Sequence, residues 1–439
     1  MTKIILIQLP TSQYTAEKVY PLGLARLASL VPKTMTKLGL DMNLSADPWP
    51  ELAALLSREQ PEIIALSFRN LDPLAQIHNS YLASLLSAAK MARALVPQAR
   101  ILCGGPAFSL FSARLMELAP QIDFGMVGEG EGGFAMLLAP QVDPAQVPGL
   151  IYREGNTLKQ NKVFRADLNQ LPPLDTQLFP LALYQRGNAY VAAMGLESKR
   201  GCALTCGYCT YPRLGGGQTR CREPQLVVDD MAENLARGCS LIHFTDSVVN
   251  RPAQHLEAIC QEILRRGLKV QWTGFFREDS LSQELADLCV QAGLVTFYFS
   301  ADALTGQGLR LLNKGLRKDD IFRAAEITAR TGALACYHFM VNLPGDGTAQ
   351  HQEAKESLAR LFAIHDAAAN LGAVILSTVR LYPEAPLTKR LLQSGELSPD
   401  IDLLFPTYYN PPASAHVLHE LNAYCHQAGI AQRLGLELP

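Results

Sequence analysis

The stretch Lys199-Arg200-Gly201-Cys202-Ala203-Leu204-Thr205-Cys206-Gly207-Tyr208-Cys209-Thr210 decides how the rest of the chain is read. It sets Cys202, Cys206 and Cys209 in a C-x-x-x-C-x-x-C run on one short loop. Three thiolates so spaced suit a cuboidal iron–sulfur cluster whose fourth iron has no local protein ligand. An iron left open can bind and activate a small molecule, whereas a fully ligated cluster mostly carries electrons. A zinc site wants four ligands in paired knuckles, and no second pair follows. A ferredoxin-type cluster needs a fourth cysteine, and the nearest is Cys221, which could close the cluster if the loop folds back. Burial as a plain core residue is the other alternative for any cysteine.

The chain has 439 residues, too many for one ordinary core, so two or three domains are expected. Its net charge of −2 gives no electrostatic footprint for nucleic acid or an anionic membrane. The apolar run Ile4–Leu9 is cut by Gln8 and ended by Pro10, too short for a signal peptide, and no stretch approaches a transmembrane span. The cysteines are therefore expected as reduced thiols in the cytoplasm. Cys103, Cys239, Cys260, Cys289, Cys336 and Cys425 stand singly in apolar surroundings and read as core.

Residues 1 to about 140 alternate apolar runs with helical periodicity. Strands are predicted at Lys3–Leu9, Ile63–Ser67, Arg100–Cys103 and Phe124–Val127, with a weaker one near Leu40–Leu44. Helices are predicted near Leu22–Leu30, Ile77–Leu95 and Phe108–Leu118, with another ending at Leu138. This alternation implies a doubly wound parallel sheet with ligand loops at the strand C-termini. Two strand ends carry glycines, Gly104-Gly105-Pro106 and Gly128-Glu129-Gly130-Glu131, where a missing Cβ lets backbone approach a phosphate or a planar ligand. Gly149–Phe164 reads as a hairpin turning at Gly155-Asn156, and Pro172-Pro173 and Pro180 mark an extended connector.

Six strand-like runs follow, near Tyr190–Ser198, Leu241–Thr245, Lys269–Phe275, Val295–Ser300, Ala333–Asn342 and Ala373–Leu381. Each but the last precedes a helical pattern, which predicts an open partial (β/α)6 barrel with chemistry at the strand C-terminal face. The expected boundaries are 1–145 for the α/β domain, 146–185 for hairpin and linker, 186–385 for the barrel and 386–439 for a small C-terminal lid region. A helix near Ala415–Ala428 would cover the barrel opening. Gly215-Gly216-Gly217 lacks the Lys-Ser/Thr of a phosphate loop and reads as a flexible flap. His338 reads as a satisfied core histidine.

The cysteine run resembles the cluster loop of the radical S-adenosylmethionine (SAM) superfamily, and Tyr208 matches the aromatic usual before its last cysteine. Leu9-Pro10-Thr11, Pro21–Leu24 and the two glycine turns resemble, in order and spacing, the Rossmann-like cobalamin-binding domain that precedes many radical SAM domains. The Asp-x-His-x-x-Gly histidine of other cobalamin proteins is missing, since the first 140 residues contain one histidine, His78, without that context. Ser67-Phe68-Arg69-Asn70 instead resembles the loop of a cobalamin-dependent subgroup that includes a tryptophan C-methylating enzyme. Guanidinium has no lone pair for a metal, so Arg69 could not ligate cobalt. A salt-bridged loop residue is the plain alternative.

The resemblance implies three cofactors and their contacts. A 4Fe–4S cluster would sit on Cys202, Cys206 and Cys209. SAM would meet Tyr208, Asp246 through its ammonium, Arg277 through its carboxylate, and Ser300 and Asp302 through its ribose. Helix capping is the alternative for both aspartates. Cobalamin would meet Pro10, Thr11, Ser67, Arg69, Asn70, Gly104, Gly105, Gly128, Glu129 and Gly130. The implied reaction moves a methyl group from SAM, by way of methylcobalamin, to an unactivated carbon of a small-molecule or peptide-derived substrate. An external reductant such as flavodoxin or ferredoxin would feed it. Members of this architecture also catalyse radical rearrangement, cyclisation or ring contraction without methyl transfer. A cobalamin-and-cluster redox or sensing module without turnover is the alternative of another class.

Overall fold

The computed structural model describes residues 2–11, 18–73, 79–184, 188 and 191–430. His78, the expected helix start at Ile77 and the expected strand start at Tyr190 lie outside the described residues. The chain divides into two compact units, the first reaching Asn188 and including 213–215, the second holding the rest of the described residues from 191 onward.

In the first unit the strands are β1 (Lys3–Gln8), β2 (Thr36–Asp41), β3 (Ile63–Ser67), β4 (Arg100–Gly104), β5 (Phe124–Met126), β6 (Leu150–Glu154) and β7 (Thr157–Gln160). They form one sheet in the order β2-β1-β3-β4-β5-β6-β7, parallel through β5 and antiparallel thereafter. Helices α1 (Leu22–Ala28), α2 (Pro48–Glu59), α3 (Leu82–Leu95), α4 (Pro106–Leu110), α5 (Ser112–Leu118) and α6 (Phe134–Leu137) connect the strands. Ile4, Ile5, Leu6 and Ile7 of β1 are fully buried, the continuous apolar run expected of a parallel strand covered on both faces. Edge strand β2 is half-buried and carries Thr36 and Lys37, which is why its pattern was faint. The register brings Gln8, Asp41, Ser67 and Gly104 to one edge of the sheet.

Two expectations for this unit are corrected. The hairpin placed in a linker is β6–β7, which extends the sheet. The proline connector is docked on α1, where Arg26 Nη1 donates to Pro172 O at 2.5 Å and Asp175 N donates to Ala25 O at 2.9 Å. The glycine turns are required chiefly by the chain itself. Gly105 has φ +106° and a Cβ there would lie 2.5 Å from Phe68 O. Gly128 has φ +80° and a Cβ there would lie 2.6 Å from Val163 Cγ1.

The second unit has β8 (Gly195–Leu196), β9 (Lys199–Arg200), β10 (Arg220–Cys221), β11 (Leu241–Phe244), β12 (Gln271–Phe276), β13 (Leu294–Asp302), β14 (Leu334–Met340), β15 (Leu371–Ser377), β16 (Val379–Arg380) and β17 (Tyr408–Tyr409). Its helices are α7 (Tyr211–Gly215), α8 (Pro224–Ala236), α9 (Ala253–Arg266), α10 (Gln283–Gln291), α11 (Gly306–Leu311), α12 (Lys318–Ala329), α13 (Thr348–Asp366), α14 (Pro386–Gln393) and α15 (His416–Gln427). Six strands, β8-β11-β12-β13-β14-β15, run parallel in sequence order, the open barrel expected. Phe297 and Phe299 share one face of β13 and Tyr337 and Phe339 one face of β14, all buried, and stacking of Phe299 on Tyr337 joins the two rows. Helix α15 packs on α13 and β15, with Phe362 and Tyr424 stacked at 5.9 Å. It flanks the last strand, and its Val417 and Leu421 line a small cavity with Ala303, Leu304 and Asn342, which follow β13 and β14. Among the described residues no helix is long and apolar enough to cross a membrane.

Candidate cofactor sites

The cysteine loop leaves β9 through Gly201 (φ +83°). Cys202 N donates to Gly216 O at 3.0 Å, so the glycine stretch read as a flap is tied to the loop. Cys202 is buried, Cys206 and Cys209 are partly exposed, and all three are free thiols. Burial pushes the Cys209 thiol up to about 11, and Cys206 and Cys202 add to the rise. Cys206 is raised by burial too, with Lys314 opposing. Among the described residues no three Cys, His, Asp or Glu side chains are already gathered as a metal site. Cys202 and Cys206 nevertheless lie near enough to disfavour ionisation of Cys209, the condition that a cationic iron core relieves. The loop thus fits the cluster. Cys221 pairs in register with Lys199, and its charged neighbours are Lys199 and Asp246, not the three cysteines.

The turn after α11 grips this loop. Leu312 O accepts from Gly207 N at 2.8 Å, and Asn313 Nδ2 donates to Thr205 O and Oγ1 at 2.8 and 2.9 Å. Lys314 Nζ donates to Asp302 Oδ2 at 2.7 Å and to Ser300 O at 2.6 Å. Sequence reading missed Asn313 and Lys314. Asn-Lys-Gly signals a turn, and Asn313 and Gly315 do have positive φ, but nothing local says which loop it meets. Asn313→Ala removes both bonds to Thr205, at a cost of about 1 kcal/mol, or about fivefold in an equilibrium. Iron should then be lost to a chelator about fivefold faster than from the wild type, measured under anaerobic conditions.

The carboxylates assigned to SAM are otherwise engaged. Asp246 accepts from Ser198 N at 2.9 Å, Ser198 Oγ at 2.5 Å and Lys199 N at 3.2 Å, with its side chain wholly buried. It anchors the segment entering the cysteine loop and is not open to an ammonium. Asp302 (φ +62°) is bonded by Tyr208 OH, by Lys314 and by Ser300 Oγ at 3.2 Å, and lies 3.5 Å from His338 Nδ1. Burial would raise its carboxyl, but Lys314 and His338 hold it at about 2. Tyr208, Ser300 and Asp302 are thus joined in one network.

Two buried polar groups without a partner follow one another at the end of β12. Arg277 donates through Nε to Asp279 at 2.9 Å and through Nη2 to Lys314 O, while its buried Nη1 has no partner. Glu278 is buried with Oε1 unpartnered, and burial pushes its carboxyl up to about 7, with Lys314 opposing. Buried polar atoms are nearly always paired. A donor and an acid left open on consecutive residues suit the carboxylate and ammonium of an amino-acid ligand. Arg277, expected at this site, keeps one polar atom open, and so does its neighbour Glu278, to which the sequence reading gave no role.

His338 also differs from its expectation. Its side chain is 28% exposed, with Nε2 2.8 Å from Ser377 Oγ. The satisfied core histidines are His243, driven to about 4 by burial, and His365, between Tyr337 OH and Asn370.

In the first unit, the strand-end loops form a second site. Thr11 N donates to Asn43 Oδ1 at 2.8 Å, and Asn43 Nδ2 donates to Leu9 O and Asp41 Oδ1. Pro10 and Thr11 are buried within this knot. Burial raises the Asp41 carboxyl, and Tyr184 OH donates to its Oδ2 at 2.7 Å. Arg69 follows Ser67 at the end of β3, half-buried, its pKa lowered by burial and supported by Asp41. Asn70 Oδ1 accepts from Arg69 Nη2 at 3.0 Å. Thr11, Ser67, Arg69, Asn70 and Gly104 therefore gather at one edge. Glu129 does not join them, because its Oε2 accepts from Ala166 N at 2.8 Å and Oε1 faces Arg165. Gly105 and Gly128 serve the packing described above, and Gly130 opens a short turn against Leu27. The described residues of this unit include no histidine. These residues would hold a planar ligand such as cobalamin over this edge, where Arg69 would present a cation without a lone pair for a metal.

Comparison with known proteins agrees with both units. The B12 binding domain family matches residues 14–138 and the radical SAM superfamily matches residues 196–358. "Uncharacterized methyltransferase PH0819" of Pyrococcus horikoshii is 23% identical over 372 residues, 81% of this chain and 77% of that protein. The anaerobic magnesium-protoporphyrin IX monomethyl ester cyclase of Cereibacter sphaeroides is 26% identical over 303 residues, but the match spans only 47% of its length. Among solved structures, the radical SAM methyltransferase TsrM from Kitasatospora setae, with cobalamin and a [4Fe-4S] cluster bound, superposes with a TM-score of 0.76 at 21% identity, over 90% of this chain and 78% of that one. OxsB with aqua-cobalamin and SAM bound gives 0.77 at 16% identity, over 98% and 67%. These likenesses establish the fold. The chain thus carries a B12 binding domain followed by a radical SAM domain.

Proposed function

We propose that the protein is a cobalamin-dependent radical SAM methyltransferase that methylates a carbon atom of a small-molecule substrate. The observation that carries this reading is the open pair Arg277 Nη1 and Glu278 Oε1 in the same barrel as the three-cysteine loop. Bound to the chain, the cluster would supply an electron to SAM, and cobalamin would carry the methyl group between SAM and substrate. Arg277 holds the methionine carboxylate and Glu278 its ammonium, fixing the orientation of the sulfonium. Lys314 O and Asp279 in turn fix the guanidinium. The relatives named as methyltransferases favour methyl transfer. The cyclase relative favours the second reading, a radical cyclisation without methyl transfer. A one-electron donor of the flavodoxin or ferredoxin class would complete the system.

The test is anaerobic incubation of the reconstituted protein with SAM and a reductant. Methyl transfer yields S-adenosylhomocysteine that depends on added cobalamin. Production of 5′-deoxyadenosine with no S-adenosylhomocysteine would replace methyl transfer by the cyclisation reading.

Arg69 is assigned as the cation facing the cobalamin ring. A fixed charge at about 4 Å is worth on the order of 1–4 kcal/mol between the dielectrics of water and a protein surface. It should stabilise the electron-rich cob(I) state. Arg69→Ala is therefore expected to bind cobalamin but with a more negative midpoint potential. With cobalamin's own base displaced and no protein nitrogen in its place, electron paramagnetic resonance of the cob(II) form should show no nitrogen superhyperfine splitting in the wild type. A strong splitting would mean a nitrogen ligand and end this assignment.

A further inference from the structure

Lys314 is an ammonium with 8% of its side chain exposed, set against the cysteine loop. Its Nζ makes short bonds to Asp302 Oδ2 and Ser300 O, lies 3.4 Å from Tyr208 OH and sits 5.9 Å from the Tyr208 ring centre. Tyr208 stands between Cys206 and Cys209. A buried lysine stays charged only when paired. Burial is the largest effect and works against the ammonium, but the acidic neighbours, Asp302 foremost, together outweigh it and hold Lys314 above the ordinary lysine value. The Asp302 carboxylate is shared with Tyr208, Ser300 and His338, which leaves its charge spread over several donors. The backbone of Lys314 fastens Arg277, so Lys314 joins the SAM contact to the loop.

We propose that Lys314 sets the reduction potential of the cluster, as a fixed cation beside the Cys206–Cys209 loop that favours the reduced state and positions Tyr208. Reduction adds one negative charge to the cluster, and net charge and hydrogen bonding around the cysteine sulfurs govern its potential. This role rests on the cluster reading above and concerns a residue that neither the cysteine motif nor the strand-end pattern marks.

The experiment is a redox titration of the anaerobically reconstituted full chain, without SAM, followed by electron paramagnetic resonance and iron analysis. Lys314→Met should shift the midpoint to more negative potential, lowering the reduced fraction at the wild-type midpoint severalfold. Lys314→Arg should restore most of it. Asp302→Asn removes the opposing charge and should shift the midpoint the other way. A purely structural lysine would cost iron in both variants without opposed shifts. Full iron with an unchanged midpoint in Lys314→Met, or shifts of the same sign in Lys314→Met and Asp302→Asn, would overturn the proposal. If Lys314→Met yields no folded protein, Asp302→Asn decides, and an unchanged or lowered midpoint there overturns it. A wild-type chain that takes up no cluster would instead sink the cluster reading itself.

Discussion

Replacing Cys202, Cys206 and Cys209 together with alanine is expected to abolish iron binding and the visible absorbance of the reconstituted protein. The single replacement Cys221→Ala should leave both intact. The loop is held open by contacts that involve no sulfur ligand, namely Gly207 N on Leu312 O, Leu387 N on Gly207 O and Asn313 on Thr205. The triple variant should therefore keep its far-ultraviolet circular dichroism while losing the metal. Cys221 stands apart, with Lys199 and Asp246 as its charged neighbours. Its thiol can vanish without touching the cluster's ligand set. Full iron in the triple variant, or half the iron in Cys221→Ala, would contradict the assignment.

SAM should bind more tightly as pH rises through neutrality. Burial raises the Glu278 carboxyl from 4.5 to about 7, so near pH 6 most of it is neutral and cannot pair with an ammonium. Linkage through one such group gives about a tenfold fall in Kd between about pH 6 and 8. In the absence of SAM the sign for stability is opposite. The folded state holds the proton more tightly than the unfolded chain, so stability is lost as pH rises from 4.5 to about 7. The full loss is about 3 kcal/mol. Glu278→Gln should flatten both profiles. Arg277→Ala should weaken binding by about 2 kcal/mol, about thirtyfold, as expected for a hydrogen bond to a charged group. Titration calorimetry across that pH range is the check, and a flat wild-type profile would remove Glu278 from the site.

How far the sequence could be read follows from which interactions are local. The three cysteines were legible because they fall within eight consecutive positions, Cys202 to Cys209. The buried strands were legible because parallel strands covered on both faces are written as apolar runs, as in Ile4–Ile7. Edge strand β2 lacks that signature, and with it went Asp41 and Asn43, which shape the edge beside Arg69. The glycine turns were correctly placed but for an incomplete reason, since Gly105 and Gly128 are demanded by positive φ and by Phe68 and Val163. Asp246 and Glu278 show the limit most clearly. Both follow barrel strands, and only tertiary structure shows that one carboxylate is filled by Ser198 and Lys199 while the other is open. Lys314 lies 105 residues beyond Cys209 in the chain, and no periodicity links the two.

Methyl transfer from SAM through cobalamin on one chain is the step on which the proposed function depends. The direct measurement gives the reconstituted protein SAM bearing a deuterated methyl group, under reducing, oxygen-free conditions, and analyses the extracted cobalamin by mass spectrometry. The predicted result is the deuterated methyl group on cobalamin, with an equal amount of S-adenosylhomocysteine. Protein replete in iron and cobalamin that leaves the label entirely on SAM, or releases it only in methionine beside 5′-deoxyadenosine, would contradict the account.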